Sequence, residues 1–245
     1  MKKPFISAII PGYNEEKVII NTINSVEKAL SSIGKPFEIL IVDDGSTDNT
    51  FQILRKLIKS KKNSYLRFVS YKNGPSRREN LAKSFKLLKG EYVLLLDMDL
   101  SMDVKHIEDM VFWLDNGYEM VIPNRYHKDS YIERRIDRFL ISKIYNGLIR
   151  TLFRTGFKDN ICGFKAFKRE VALKLVEKAG IDNTKTRSVF WDTELIIHAK
   201  KSGIHIKEIP IHWTEGKSSA LNFKREVKMV PYIIKFWIDS LRGKI

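Results

Sequence analysis

A single cysteine, Cys162, stands in 245 residues. That excludes an intrachain disulfide and any zinc centre built on cysteines. No His-Glu-x-x-His, no Gly-x-Gly-x-x-Gly and no Gly-x-x-x-x-Gly-Lys-Ser/Thr occurs, so the common signatures of zinc proteases, dinucleotide sites and phosphate-cradling loops are missing. No run approaches the roughly 18 apolar residues that a bilayer-spanning helix needs. Met1-Lys2-Lys3-Pro4 leads straight into an apolar strand and leaves no space for a signal peptide, so a cytoplasmic location is expected. Acidic residues are also short: 29 against 44 Lys and Arg, a formal charge of +15. Such a field attracts nucleic acid, anionic lipid headgroups or phosphorylated substrates, and charge alone does not choose among them. The cluster from Lys56 to Lys62 reads as a solvated helix end.

What is present alternates strands and helices. Apolar strands are expected at Phe5–Pro11, Phe37–Val42, Leu66–Ser70, from Tyr92 to the Asp97 turn, and at Glu119–Pro123. Between them lie amphipathic helices, the first marked by Ile19, Ile23, Val26, Leu30 and Ile33, the second by Phe51, Leu54 and Ile58. Ser46 or Asp48 suits the N-cap of that second helix. This βαβ spacing predicts an α/β fold with a mainly parallel central sheet flanked by helices. After Arg125 the pattern changes. Tyr131–Phe153 carries Ile136, Leu140, Ile144, Leu148 and Leu152 every four residues, with Arg134, Arg135 and Arg138 nearby. Val189–Ser202 reads as a helix and Ile204–Trp213 as a strand. Repeats and linkers are lacking, so one compact domain is expected over 1–222, followed by a C-terminal amphipathic helix over 223–245.

The chemistry concentrates at strand ends, where open α/β sheets bind ligands. Tyr92-Val-Leu-Leu-Leu-Asp97-Met-Asp99 is an apolar run closed by two carboxylates one residue apart. Like charges that close repel unless a cation sits with them. Mg²⁺ and Mn²⁺ bind through one or two carboxylates plus phosphate oxygens. Asp-x-Asp alone is equally a solvated turn, but three other strand ends agree with it. Pro11-Gly-Tyr13-Asn-Glu15 offers a stacking ring at a helix start that favours phosphate. Val42-Asp-Asp44 brings a carboxylate suited to a base edge or ribose. Asn124-Arg125 brings a guanidinium.

Together these segments resemble the family 2 inverting glycosyltransferases of the GT-A fold. Ser7-Ala-Ile-Ile-Pro-Gly-Tyr-Asn-Glu-Glu16, Ile41-Val-Asp-Asp-Gly-Ser-Thr-Asp48 and Leu96-Asp-Met-Asp-Leu-Ser101 carry the likeness. Asn124-Arg-Tyr126, Asp159-Asn-Ile-Cys-Gly-Phe-Lys165, Phe190-Trp-Asp-Thr-Glu-Leu195 and Glu208-Ile-Pro-Ile-His-Trp-Thr-Glu215 extend it. The series is similar to the polyprenyl-phosphate (dolichyl-phosphate) hexosyltransferases over residues 5–222, with a closing segment nearer the glucosyl than the mannosyl enzymes. The resemblance implies a nucleotide-sugar donor, UDP-glucose first and GDP-mannose second, and a polyprenyl or dolichyl phosphate acceptor. Pro11, Tyr13, Glu15, Val42 and Asp44 would line the nucleotide pocket. Asp97, Met98 and Asp99 would meet the donor, with Asp97, Asp99 and Ser101 about the Mg²⁺ or Mn²⁺. Arg125, Arg138 and Ser142 match acceptor-phosphate positions. Asp192 and Glu194 would stand near the acceptor, as sugar-orienting groups or as a base where the acceptor is a hydroxyl on a glycan, lipid or protein. Their plain alternative is an acidic pair complementing a helix N-terminus.

Two departures from the pattern concern donor-loop closure. Asn73-Gly-Pro-Ser-Arg-Arg78 stands where Asn-x-Gly-Lys-Gly is usual, so Arg77 or Arg78 replaces the Lys. Gly216-Lys-Ser-Ser-Ala-Leu221 stands at the terminal signature. A phosphate monoester, with a second pKa near ~6, is anionic at neutral pH and needs charge compensation more than a base. For the membrane, the C-terminal stretch sets Val227, Val230, Ile234, Trp237 and Leu241 on one side among Lys224, Arg225, Lys228, Lys235 and Arg242, a basic amphipathic pattern suited to an anionic membrane surface. Packing on the domain is its alternative. The expected protein is peripheral, on the cytosolic face, and not a nucleic-acid binder.

Overall fold

The computed structural model describes residues 3–60, 65–76, 78–182, 184, 186–216 and 223–245, with the backbone alone for 223–227. Arg77, the 217–221 part of the terminal signature and the side chains of Lys224, Arg225 and Val227 lie outside this description. Strands β1 (Ile6–Gly12), β2 (Phe37–Asp43), β3 (Leu66–Ser70) and β4 (Tyr92–Leu95) alternate with helices α1 (Ile19–Ser32), α2 (Thr50–Ser60) and α3 (Glu79–Ser84), the last followed by a 3-10 turn at Phe85–Leu87. Then come α4 (His106–Asp115), β5 (Met120–Pro123), β6 (Tyr131–Glu133), α5 (Ile136–Phe153), β7 (Lys165–Lys168), α6 (Arg169–Ala179), α7 (Phe190–Lys201), β8 (Ile206–Ile209), β9 (His212–Thr214) and α8 (Phe223–Leu241).

The main sheet has the order β3-β2-β1-β4-β7-β5-β8. β1 is parallel to β2 and β4, and β5 to β8, whereas β7 is antiparallel to both its neighbours. Every residue of β4 and β5 is buried, as continuous apolar runs with helices on both faces require. One apolar cluster, with Ile23, Val26 and Ile107, fills one side of the sheet; another, with Phe85, Leu175 and Trp191, fills the other. The mainly parallel, helix-flanked sheet agrees with the sequence expectation.

Several local readings change. The Tyr131–Phe153 stretch is a short strand and then a helix. β6 pairs with β9 in a separate two-stranded sheet. The strand expected over Ile204–Trp213 is broken into β8 and β9 at Pro210, which has no N–H for a ladder. Phe51 is 37% exposed instead of facing the core, and lies edge-on to Phe68. At the start of α2, Asp48 Oδ1 accepts from the Thr50 N–H, while Ser46 Oγ takes the Asn14 N–H. β7 and α6 have no counterpart in the sequence reading.

Candidate active site

The carboxyl ends of β1, β2 and β4 open into a cleft of about 820 Å³. Pro11 near the end of β1 with Tyr13 and Glu15 after it, Val42 near the end of β2 with Asp44 after it, and Asp97, Met98, Asp99 and Ser101 after β4 all line it. Tyr13 is 39% exposed and so has a free face. Asp44 is pre-aimed: Oδ2 accepts the Ser76 N–H at 2.8 Å and Oδ1 the Asn80 amide at 2.7 Å. A carboxylate has about four lone-pair positions, so capacity remains for a ligand. The loop from Asn73 carries one glycine, and it is the one the geometry demands. A Cβ on Gly74 would lie 1.6 Å from the Asp44 carbonyl oxygen.

Asp97 and Asp99 share a corner with Asp192. Asp99 accepts from the Ser101 N–H and hydroxyl at 3.1 and 2.7 Å, which fixes its rotamer. Burial pushes the Asp97 carboxyl up to about 6, with Asp192 and Asp99 adding to the rise and Arg78 opposing it. Glu15 is likewise raised to about 7 by burial and then by Asp99. A Cβ at Gly163 would stand 2.4 Å from Asp97 Oδ2, and one at Gly216 2.7 Å from Asp99 Oδ2. Backbone without side chains therefore cradles both carboxylates. The donor set fits a hard divalent cation whose other ligands come from a diphosphate. Among the described residues no group of three or more His, Cys, Asp or Glu side chains is placed to hold a metal alone.

Asp192, in the first turn of α7, lies at the cleft wall with both oxygens engaged. Arg78 Nε and Nη2 reach Oδ2 at 3.0 and 2.9 Å, and Lys165 Nζ reaches Oδ1 at 3.1 Å. Arg78 Nη2 also stands 3.7 Å from Asp97. Of the two arginines considered for the missing Lys, Arg78 is therefore at the site. Lys165, fully buried, was not singled out by sequence; its only signal was its place at the end of the Asp159–Lys165 motif.

The opposite wall is basic. Arg125 donates to Asp159 through Nε (2.6 Å) and Nη2 (2.8 Å) and lies over the Trp213 ring. Burial works against both charges, yet Asp159 drives the Arg125 pKa upward and Arg125 drives that of Asp159 downward. Arg138 is paired with Glu215. Ser142 Oγ bonds to Tyr126 Oη at 2.6 Å and to Arg134 Nη1 at 2.9 Å. Arg134, which the sequence reading noted without a role, lines the cleft too.

Glu194 is the expected site residue that does not reach the cleft. Two positions beyond Asp192 on a helix, it points the other way, toward Arg187 Nη1 at 3.1 Å, while Arg187 Nη2 holds Glu79 at 2.5 Å. Burial pushes its carboxyl up to about 7. Cys162 is a buried filler beside the cleft, its thiol pushed up to about 12 by burial.

Beyond the arginines the cleft becomes apolar, lined by Ile141, Leu148, Val230 and Ile233 of α5 and α8. Both helices leave apolar side chains in the open: Ile136 (78%), Ile144 (73%) and Leu140 on α5, and Ile234, Ile238 and Leu241 on α8. α8 divides its faces. Met229, Ile233 and Phe236 pack on Ile149, Phe153 and Phe190, while Val230, Ile234 and Leu241 stay exposed. Among the described residues no helix is long and apolar enough to cross a membrane.

The sequence matches the model of glycosyl transferase family 2 over residues 7–176. The chain belongs to that family. This glycosyltransferase is 29% identical over 236 residues to glycosyltransferase AglD of Haloferax volcanii, covering 95% of this chain and 37% of that protein. It thus spans little more than a third of that relative. It is 27% identical over 252 residues to dolichyl-phosphate beta-glucosyltransferase of Dictyostelium discoideum, covering 98% of this chain and 76% of that one. The Saccharomyces cerevisiae protein of the same name is 28% identical over 235 residues, with 89% and 69% covered. Among solved structures, glucosyl-3-phosphoglycerate synthase from Mycobacterium tuberculosis, crystallised with Mn²⁺, UDP and glucosyl-3-phosphoglycerate, superposes with a TM-score of 0.68 at 18% identity. That match covers 97% of this chain and 79% of the other. The shared architecture is GT-A.

Proposed function

We propose that this glycosyltransferase moves a hexose from a nucleotide sugar, UDP-glucose, to a polyprenyl phosphate such as dolichyl phosphate. It would act as a peripheral enzyme on the cytosolic face of a membrane. One observation carries the reading: a single cleft runs from clustered carboxylates through arginines to exposed apolar helix faces. A donor diphosphate, an acceptor phosphate and an isoprenoid chain need that sequence of surroundings. The relatives named for dolichyl-phosphate glucosyl transfer support the acceptor and the sugar. In this reading Tyr13 stacks on the base, Glu15 and Val42 close the pocket around it, and Asp44 takes hydrogen bonds from its edge.

Asp97 and Asp99, steadied by Ser101, would hold Mg²⁺ or Mn²⁺, which when bound supplies Lewis-acid stabilisation of the leaving diphosphate. Arg78 adds a fixed positive charge at the same corner. In-line attack by the phosphate opposite the diphosphate inverts the anomeric centre. A hydroxyl acceptor would need a general base. Asp192 has both oxygens committed to cations and Glu194 is out of the cleft, so the arrangement favours an acceptor that arrives already ionised. The exposed faces of α5 and α8, with Lys235 and Arg242 among the apolar residues, suit an anionic membrane surface.

The test is incubation with Mg²⁺ or Mn²⁺, UDP-glucose or GDP-mannose, and farnesyl phosphate or farnesol. The expected product is a glucosylated lipid from UDP-glucose and the phosphate. Product from farnesol, or none from the phosphate, would overturn the acceptor assignment, and mannosyl product would overturn the sugar.

A further inference from the structure

Among the described residues four arginines line the cleft, and three of them are already neutralised. Arg78 is held by Asp192, Arg125 by Asp159 and Arg138 by Glu215. Arg134 differs. Among the described residues it has no carboxylate within ion-pair distance, and its Nη1 donates to the Ser142 hydroxyl at 2.9 Å. Burial and then the nearby Arg125 also act against its protonation, by more than Tyr126, Glu215 and Asp159 offset from a distance. A guanidinium carries five donors, so most of its capacity faces the cleft unspent.

Ser142 is correspondingly full. A hydroxyl has one proton and two acceptor positions. Arg134 can only donate to it, Phe139 O takes the serine proton at 3.0 Å, and Tyr126 Oη sits at 2.6 Å as the remaining partner. Asn146 Nδ2 stands 3.4 Å behind the tyrosine oxygen. The serine is thus a bracket for the arginine, with no donor left for a ligand.

We infer that Arg134 is the group that binds the acceptor's phosphate monoester. Arg125 and Arg138 shape the wall through their carboxylates, and Ser142 is a positioning residue acting through Arg134. The phosphate sits where Ile141 and Leu148 of α5 line the same cleft, so its hydrocarbon tail runs out along that helix. This assignment rests on the proposed phosphate acceptor and adds which cation selects it.

The full chain is assayed with UDP-glucose and farnesyl phosphate as wild type, Arg134→Gln, Arg134→Lys, Ser142→Ala and the Arg134→Gln/Ser142→Ala double variant. Loss of a charge-assisted contact should raise KM for farnesyl phosphate about 10- to 100-fold in Arg134→Gln, with kcat changed much less. Arg134→Lys should recover most of the loss. Equilibrium binding of farnesyl phosphate should weaken in parallel, while UDP binding stays as in the wild type. Ser142→Ala should raise KM less, and should add nothing in the Arg134→Gln background, because both changes remove one contact. An unchanged KM in Arg134→Gln, or further loss in the double variant, overturns the inference and leaves the acceptor reading standing. A wild type that glucosylates farnesol and ignores farnesyl phosphate removes both. Circular dichroism guards against a misfolded variant, with the lysine form as the second probe.

Discussion

The two ends of the cleft are built on opposite plans. At the β1–β4 end, carboxylates are crowded together and left short of positive charge, so that burial and mutual repulsion lift Asp97 to about 6 and Glu15 to about 7. At the α5 end, arginines are crowded but most are matched, Arg125 by Asp159 and Arg138 by Glu215. An uncompensated cluster is prepared for a ligand of opposite charge, because binding removes a repulsion the fold already bears. A compensated one is scaffold. The contrast explains why the number of basic residues around a cleft says little about which of them meets an anion.

The largest test of this contrast is Asp99→Ala, which should cut hexosyl transfer by about 10³-fold or more while the circular dichroism spectrum is kept, since it removes a group where leaving-group charge develops. A fall below about tenfold would mean that the carboxylate corner is scaffold too. Next is Asp192→Asn. With the arginine and lysine partly released, turnover should drop about 10- to 100-fold and the pH–rate profile should keep its shape. Disappearance of a pH limb would instead make Asp192 a base. Smaller again is Ile144→Ser combined with Ile234→Ser, at two side chains that are 73% and 49% exposed. Their loss from a lipid-facing surface should weaken co-sedimentation with anionic vesicles roughly tenfold and spare turnover of a short soluble acceptor. Removing α8 altogether is a poorer probe, because Met229, Ile233 and Phe236 belong to the core.

The smallest effect is on stability. The folded pKa of Glu194, about 7, lies above its ordinary 4.5. The folded state therefore holds the proton more tightly, and this contribution is present below pH 4.5 and lost as pH rises toward 7. The stability difference between wild type and Glu194→Gln should shrink by at most about 1.4 kcal/mol per pH unit across that window. Urea titrations at pH 5 and 7.5 measure it, and a flat difference would show that Arg187 keeps Glu194 ionised throughout.

Legibility in the sequence follows the same divide. Pro11, Tyr13, Asp44, Asp97 and Asp99 each end a strand whose apolar run announces it, so local pattern alone placed them on one rim. The partners on the other side are remote. Arg78 meets Asp192 across 114 residues, Arg138 meets Glu215 across 77, and Arg125 meets Asp159 across 34. Periodicity cannot register such pairs, and Lys165, which meets Asp192 across 27 residues, passed without a role for that reason. Lys165-Ala-Phe-Lys168 was missed as a strand because four residues, basic at both ends, give little alternation. Glu194 was grouped with Asp192 by motif, although two positions along a helix turn a side chain away by about half a revolution.

β7 is bound by ladders on both flanks, to β4 and to β5. Gly163, two residues ahead of it, consequently has little freedom to retreat from Asp97. One methyl added there would land on the oxygens and swing them aside, altering the electrical shape of the corner through a position that carries no charge. An uncharged residue thus guards the ionic centre, and its bareness is as much a part of the chemistry as the aspartates themselves.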